Sequence, residues 1–295
     1  MADDYIVCTL STCPLEESIF SYQPSLAANA SFLALFAVTG IVHTIQGILS
    51  HKRAFWIAAV LGCIAEVVGY AGRIISHHNP FSQNGFLIQI CCLTIAPAFF
   101  SAAIYFTLGD IVTAVSLRSS RVKPRGYAAI FIPCDVVSLI LQGTGGGMAS
   151  VSSQNGEDPA TGTNIMVAGL SFQVASMTLF ILLALEYMLR VRRIEGKEAS
   201  RLPVSKNKLW LFVGFFSLAV ICIFIRCVYR VIELSEGWDG HLIKNERIFI
   251  VLEGVMVLLA VYALHIGHPA FLGRGKAAAT STTETFPTVT EEAKR

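Results

Sequence analysis

Seven long apolar runs, each separated from the next by a short polar stretch, organise this chain. They cover residues 26–49, 54–75, 86–112, 126–148, 164–189, 209–234 and 247–268. A helix crosses the hydrocarbon core of a bilayer in about 20 mostly apolar residues, since every backbone polar group must be satisfied within the segment. Each run meets that length, so the pattern predicts an all-α, polytopic membrane protein with seven transmembrane helices. The polar breaks fall at 51–53, 77–80, 118–125, 152–163, 190–208 and 236–246, and no internal repeat connects the runs. The organisation expected is an extracellular N-terminal tail over 1–25, a seven-helix bundle over 26–270 and a disordered cytoplasmic tail over 271–295, rich in Thr, Ala and Glu.

Composition agrees with this reading. Of the 295 residues, 54% are hydrophobic and 14% charged, whereas a soluble domain carries about a quarter charged residues. The net charge of +2 says less than its distribution. Seventeen of the 22 Lys and Arg residues fall on one side of the predicted spans: Lys52 and Arg53, four in 118–125, seven in 190–208 and four in the C-terminal tail. The other side holds Lys244 and Arg247, beside an N-terminal tail with Asp3, Asp4, Glu16 and Glu17 and no basic residue. The positive-inside rule therefore predicts the N-terminus outside and the C-terminus in the cytoplasm. The acidic start is unlike a secretory leader, so the first helix is expected to act as the insertion signal. Six of eight cysteines lie in apolar runs, where a thiol acts as a small hydrophobe. Cys8 and Cys13 stand in the tail, either as a local disulfide or as two free thiols. The sequon Asn29-Ala30-Ser31 begins the first helix and reads as a chance match too close to the membrane to be modified.

The ionisable residues inside the runs carry the candidate chemistry, because each costs about 2.5–3.5 kcal/mol on insertion scales and needs a partner or water. Glu66 and Arg73, Asp135 and Gln142, Arg226 and Glu233, and Glu246 and Glu253 are each seven residues apart, nearly two turns, so each pair shares a helix face. Tyr70 lies on the Glu66 face, and Arg230 sits between Arg226 and Glu233. Members of a pair are about 10 Å apart along the axis, which predicts partners on neighbouring helices. Counting from the helix ends places Glu66, Arg73, Gln142, Arg226, Arg230, Glu233 and Glu253 in the outer half of the membrane, with Asp135 near the midplane. The nine residues Glu66, Tyr70, Arg73, Asp135, Gln142, Arg226, Arg230, Glu233 and Glu253 are the candidate substrate-binding set, in a polar cavity facing outward. A buried ion-pair network that only fixes helix packing is the competing reading. The run Gly143-Thr144-Gly145-Gly146-Gly147 predicts either an unwound helix end or close backbone approach, and Pro97 and Pro133 predict kinks.

Several functions are argued against. No run contains an interior lysine for a retinal Schiff base, and helix three ends Gly109-Asp110-Ile111-Val112 without the Asp/Glu-Arg-Tyr of common G-protein-coupled receptors. An intramembrane zinc hydrolase has His43, His265 and His268 as possible ligands, but only Asp110 as a nearby acid. No catalytic residue, metal or cofactor is therefore assigned, and no nucleic-acid partner is expected.

Four stretches carry a family resemblance: Glu66-x-x-Gly69-Tyr70-x-x-Arg73; Ala96-Pro97 with Ala102, Ala103 and Tyr105; Asp135-x-x-Ser138-x-x-x-Gln142-x-x-Gly145-Gly146-Gly147; and Arg226-x-x-x-Arg230-x-x-Glu233 with Gly237, Glu246 and Glu253. Together, over about residues 26–270, they resemble the fungal lipid-translocating exporter family, named for resistance to an aminocholesterol toxin. The family pattern has His-Glu before helix seven and Tyr-x-x-Asp within it, where this chain has Asn245-Glu246 and Ile250-x-x-Glu253. The resemblance implies a multi-pass protein of the plasma membrane or an endomembrane, linked to movement of sphingoid long-chain bases, to resistance to amphiphilic toxins or to porphyrin uptake. Its expected partners are membrane lipids and an amphiphilic small molecule. The alternative is a seven-helix lipid receptor that uses the same cavity.

Overall fold

The computed structural model describes residues 12–18, 20–50, 52–117, 119–195, 206–237 and 240–268. Seven helices long and apolar enough to cross a membrane form it, with no strand among the described residues. They are α1 (Leu26–Ser50), α2 (Arg53–His78), α3 (Gln83–Val115), α4 (Pro124–Gln154), α5 (Ala160–Glu195), α6 (Lys206–Ser235) and α7 (Glu246–Ile266). Most extend past the apolar runs, α4 to Gln154 and α5 to Glu195. Hydropathy marks only the part of a helix that lies in hydrocarbon, while the polar turns beyond it keep their backbone bonds. Local chemistry fixes the starts. The Ser82 hydroxyl accepts from the Gly85 amide, Pro124 occupies the first turn of α4, and the Asn245 side chain accepts from the Ile248 amide.

The helices run up and down in sequence order. Each packs on the next, and α7 returns against α1 to close the ring. Helix α3 also packs on α6 and α7, and it is the most buried of the seven, with 61% of its apolar window enclosed. It is the central post. Large aliphatic side chains project outward from the other helices, Ile41 at 61%, Leu49 at 75% and Leu211 at 62% exposure, a surface suited to lipid rather than water.

One end of the bundle holds the N-terminal segment, the end of α2 and the starts of α3 and α7; it is called the entry end here. The segment is not a free tail over the described residues 12–18 and 20–25. Gln23 donates to the His77 carbonyl at 3.0 Å, the Ser25 amide donates to Glu246 at 2.6 Å, and Phe20 packs edge-on against Phe86. Cys13 is disulfide-bonded, whereas Cys8 and the tail 271–295 lie outside the described residues. At the far end, Lys52 pairs with Asp110 at 2.7 Å, and Glu186 takes both Arg121 and Arg190. His43 and His265 meet edge-to-face there, and His268 meets Phe55 in the same way.

The glycine run behaves in one of the two expected ways. Helix α4 does not unwind but stays helical through it. Gly145 instead sits against α5, where an added Cβ would clash with the Met166 amide nitrogen. Gly162 of α5 answers it, where an added Cβ would clash with the Ala149 nitrogen of α4. Small residues of this kind let membrane helices approach to backbone contact. Helices α3 and α4 likewise stay continuous through Pro97 and Pro133. Gly145→Leu and Gly162→Leu should each lower stability by at least about 1–3 kcal/mol through overpacking. Gly214→Leu, where an added Cβ meets nothing within 4 Å, should leave it unchanged. Thermal unfolding of the purified variants in detergent checks this.

Candidate functional site

Most of the polar residues picked from sequence meet in the entry half of the bundle. At the centre is Arg226 of α6, with no exposed surface. Its Nη2 donates to Glu253 of α7 at 2.6 Å and also to the Leu93 carbonyl of α3. One guanidinium thus ties α6, α7 and the central post together. Glu253, itself fully buried, lies on a π-helical turn, Ile250–Val255, that interrupts α7 between Phe249 and Met256. A π turn inserts a residue and rotates the helix after it, and such turns concentrate at functional positions.

Arg73 of α2 lies nearer the entry end and is 1% exposed. Its Nε donates to Asn29 Oδ1 at 2.9 Å, and its Nη2 reaches the Tyr22 hydroxyl at 3.1 Å and Glu246 at 3.5 Å. The guanidinium lies 4.0 Å from the Phe249 ring centroid, with Phe20 at 5.5 Å on another side. Burial pushes the Tyr22 phenol up against the opposing pull of Arg73, so it stays protonated through neutral pH. Asn29 is 1% exposed and also donates to the Ser25 carbonyl, so this packing leaves no room for a glycan on it.

Arg230 is what holds Glu233, against the expectation that Glu233 meets a partner on another helix. It pairs with Glu233 within α6, one turn on, while Tyr229 donates to the same carboxylate at 2.8 Å. Its other amine reaches the Thr94 hydroxyl of α3 at 3.4 Å. Glu66 and Tyr70 are fully buried on the α2 face, and neither the Glu66 carboxyl oxygens nor the Tyr70 hydroxyl has a hydrogen-bond partner. Tyr70 stacks between Phe32 and Phe36 of α1. Asp135 stands apart from these groups, buried beside Tyr105 of α3. Gln142 donates to Gln173 of α5 at 3.1 Å.

A cavity of about 540 Å³ opens beside this network, between α3 and α4 in the entry half. Gln142 is the one member of the predicted nine that lines it, with Thr94, Ile90, Phe86, Leu139 and Met166 among its neighbours. The other eight lie behind its walls, sealed among helices; ion pairing and packing, not solvent, satisfy most of them. Sequence marked which side chains are costly to bury but not which face of α3 is hollow. Thr94 and Gln173 were missed. Gln173 carries the same signal as Gln142, an amide inside an apolar run, whereas a threonine in a membrane helix is ordinary. A larger groove between α6 and α7, about 750 Å³, has walls with almost no polar surface. No group of three or more His, Cys, Asp or Glu placed to hold a metal ion lies among the described residues.

Seven apolar helices around a core of buried ion pairs define a multi-pass membrane protein. The chain belongs to the family described as RTA1 like protein, which it matches over residues 59–276. It is 33% identical to the sphingoid long-chain base transporter RSB1 of Saccharomyces cerevisiae, over 86% of this chain and 74% of that one. It is 28% identical to protein RTM1 of the same yeast, over 85% and 92% of the two chains, and 26% identical to its protoporphyrin uptake protein 1, over 84% and 91%. No solved structure matches.

Two substitutions separate the roles of the buried groups. Arg226→Met leaves Glu253 buried without its cation and should cost about 3–5 kcal/mol, visible as lost folded protein in detergent. Glu66→Gln removes a carboxylate that makes no ion pair and should leave the unfolding temperature equal or higher.

Proposed function

We propose that this protein is a transporter that moves an amphiphile with a long apolar chain and a cationic or hydroxylated head across a membrane, with a sphingoid long-chain base as the first candidate. One observation carries the reading: the α3–α4 cavity has a largely apolar middle between polar groups, Thr94 backed by the Arg230–Glu233 pair and Gln142 backed by Gln173 at depth, and Ser18, Gln83, Ser150 and Ser153 toward the entry end. Such a site suits a ligand that is apolar along its length and polar at one end. The names of the relatives point the same way, toward a long-chain base in one case and a porphyrin in another. Toward the far end, Tyr105, Phe131 and Phe180 pack ring on ring at 4.7–5.4 Å. That block closes the path below the cavity, so this conformation is accessible from one side. The buried ion pairs serve as the frame that holds α2, α3, α6 and α7 around it.

The basic bias supports an orientation with the entry end outside, in which the cavity lies in the outer half of the bilayer. The sequence holds no ATP-binding motif, which leaves an ion gradient or the substrate's own gradient as the energy source. Glu66 and Asp135, buried acids without an ion pair, are the candidates to carry a proton.

The direct test is flux of labelled sphingosine across proteoliposomes containing the purified protein. Faster movement than in protein-free vesicles is expected, and equal rates overturn the reading. Truncation after Gly273 should leave this flux intact, whereas a receptor would lose its output with the tail. For orientation, a glycosylation sequon inserted between Glu157 and Asp158 should be modified in cells, and one inserted between Arg121 and Val122 should not.

A further inference from the structure

The cavity has a side as well as an end, and the side is glycine. Its lining includes Gly143, Gly146 and Gly147 on α4, facing Leu87, Cys91 and Ile95 on α3. Of these, Cys91, Ile95, Gly143 and Gly147 are exposed on the flanks of their helices, so the cavity opens sideways between α3 and α4, toward the lipid. The entry end is covered: Ser18 of the N-terminal segment, Pro159 before α5 and Ile243 before α7 all reach over it. An added Cβ at Gly143 or Gly147 would meet nothing within 4 Å, and one at Gly146 only the Met166 sulfur at 3.6 Å. These glycines therefore are not packing devices, as Gly145 is. Their missing side chains are the width of the opening.

The lining also contains polar atoms left unpaired. Gln142 is 2% exposed; its amide nitrogen is used by Gln173, and its Oε1 has no partner. The Ser18 hydroxyl, 6% exposed, has none either. A buried carbonyl oxygen of this kind is costly unless a donor meets it. The lining spans Gln83–Ile95 on α3 and Leu139–Ser153 on α4, about 18 and 21 Å of helix at 1.5 Å per residue. That is the depth of one leaflet with part of its interface, since the whole hydrocarbon core is about 30 Å.

We infer that the gap between α3 and α4 is a lateral slot for one alkyl chain, with Gly143 and Gly147 setting its width and Gln142 taking a hydroxyl or ammonium donor of the head. A single-chain amphiphile enters it from the outer leaflet. A space of about 540 Å³ holds one chain, so a two-chain lipid would have to leave its second chain outside in the bilayer. The slot deepens the transport reading by giving that substrate a place and a selection rule.

The test uses a photoactivatable, clickable sphingosine on the full-length protein in nanodiscs, with cross-linked peptides identified by mass spectrometry. Cross-links are expected in 83–95 and 139–153. Competition by unlabelled sphingosine should remove them, and ceramide at the same concentration should not. The double substitution Gly143→Leu/Gly147→Leu should reduce labelling about tenfold or more at an unchanged unfolding temperature. Gly214→Leu, also in open space, should not. Gln142→Leu should weaken labelling by sphingosine and leave labelling by a photoactivatable alkane, which has no head, unchanged. Cross-links mapping to the α2–α7 side, equal competition by ceramide, or full labelling of the folded double variant each overturns the slot. Labelling of the slot by a protein that moves no sphingosine in vesicles would keep the slot and overturn the transport reading, so the two fail separately.

Discussion

The pair between Arg226 and Glu253 is the constraint on which the rest of this bundle depends. Neither side chain has exposed surface, and both come from helices that a bilayer would surround. In hydrocarbon such charges are tolerable only together and only if their remaining hydrogen-bonding capacity is met. Arg226 meets part of its own by donating to the Leu93 carbonyl, which anchors the central post α3 to the α6–α7 pair. Glu253 reaches it from a π turn, a local departure from regular helical geometry. Helix α3 then has one side committed to α2 and α6, and its other side is free to face the cavity.

This division explains how a protein can have a charged core and an amphiphile site at adjacent positions without one destroying the other. A cavity lined directly by three arginines and three acids would hold water and ions. Here Arg73 is enclosed by Phe20, Tyr22, Asn29 and Phe249, and Arg230 by Glu233, Tyr229 and Thr94, so the charges are spent inside the protein. What reaches the cavity from this network is neutral, the Thr94 hydroxyl; the Gln142 amide beside it is held by Gln173 of α5 and touches no ion pair. A head group can exchange its hydrogen bonds with these at lower desolvation cost than with a bare ion pair.

The span count and the set of buried polar side chains were legible in the sequence because hydropathy and buried charge are strong, local signals; which of them line the cavity was not. The seven-residue spacing correctly placed Glu246 and Glu253 on a face that meets arginines of other helices. It failed for Glu233, since an arginine three residues before a glutamate can close a pair within its own helix, and sequence alone does not rank that contact against a partner elsewhere. The glycine run was legible as unusual but not as two functions. Whether Gly145 touches α5 while Gly143 and Gly147 face open space depends on the rotation of α4, which is set by contacts with α3 and α5. The folding of residues 12–18 and 20–25 onto the entry end was not legible, because Phe20 and Tyr22 carry no pattern and their contacts form only once Arg73 and Phe86 are in place.

The central claim is that the space beside this ion-paired core, between α3 and α4, is where an amphiphile sits. A cryo-electron microscopy structure of the protein in nanodiscs supplied with sphingosine tests it most directly. The account requires elongated density from Thr94 and Gln142 out past Gly143 and Gly147, with the Arg226–Glu253 pair intact beside it. Density against Glu66 on the α2 side, or an α3–α4 gap closed by side chains with ligand bound elsewhere, would contradict it.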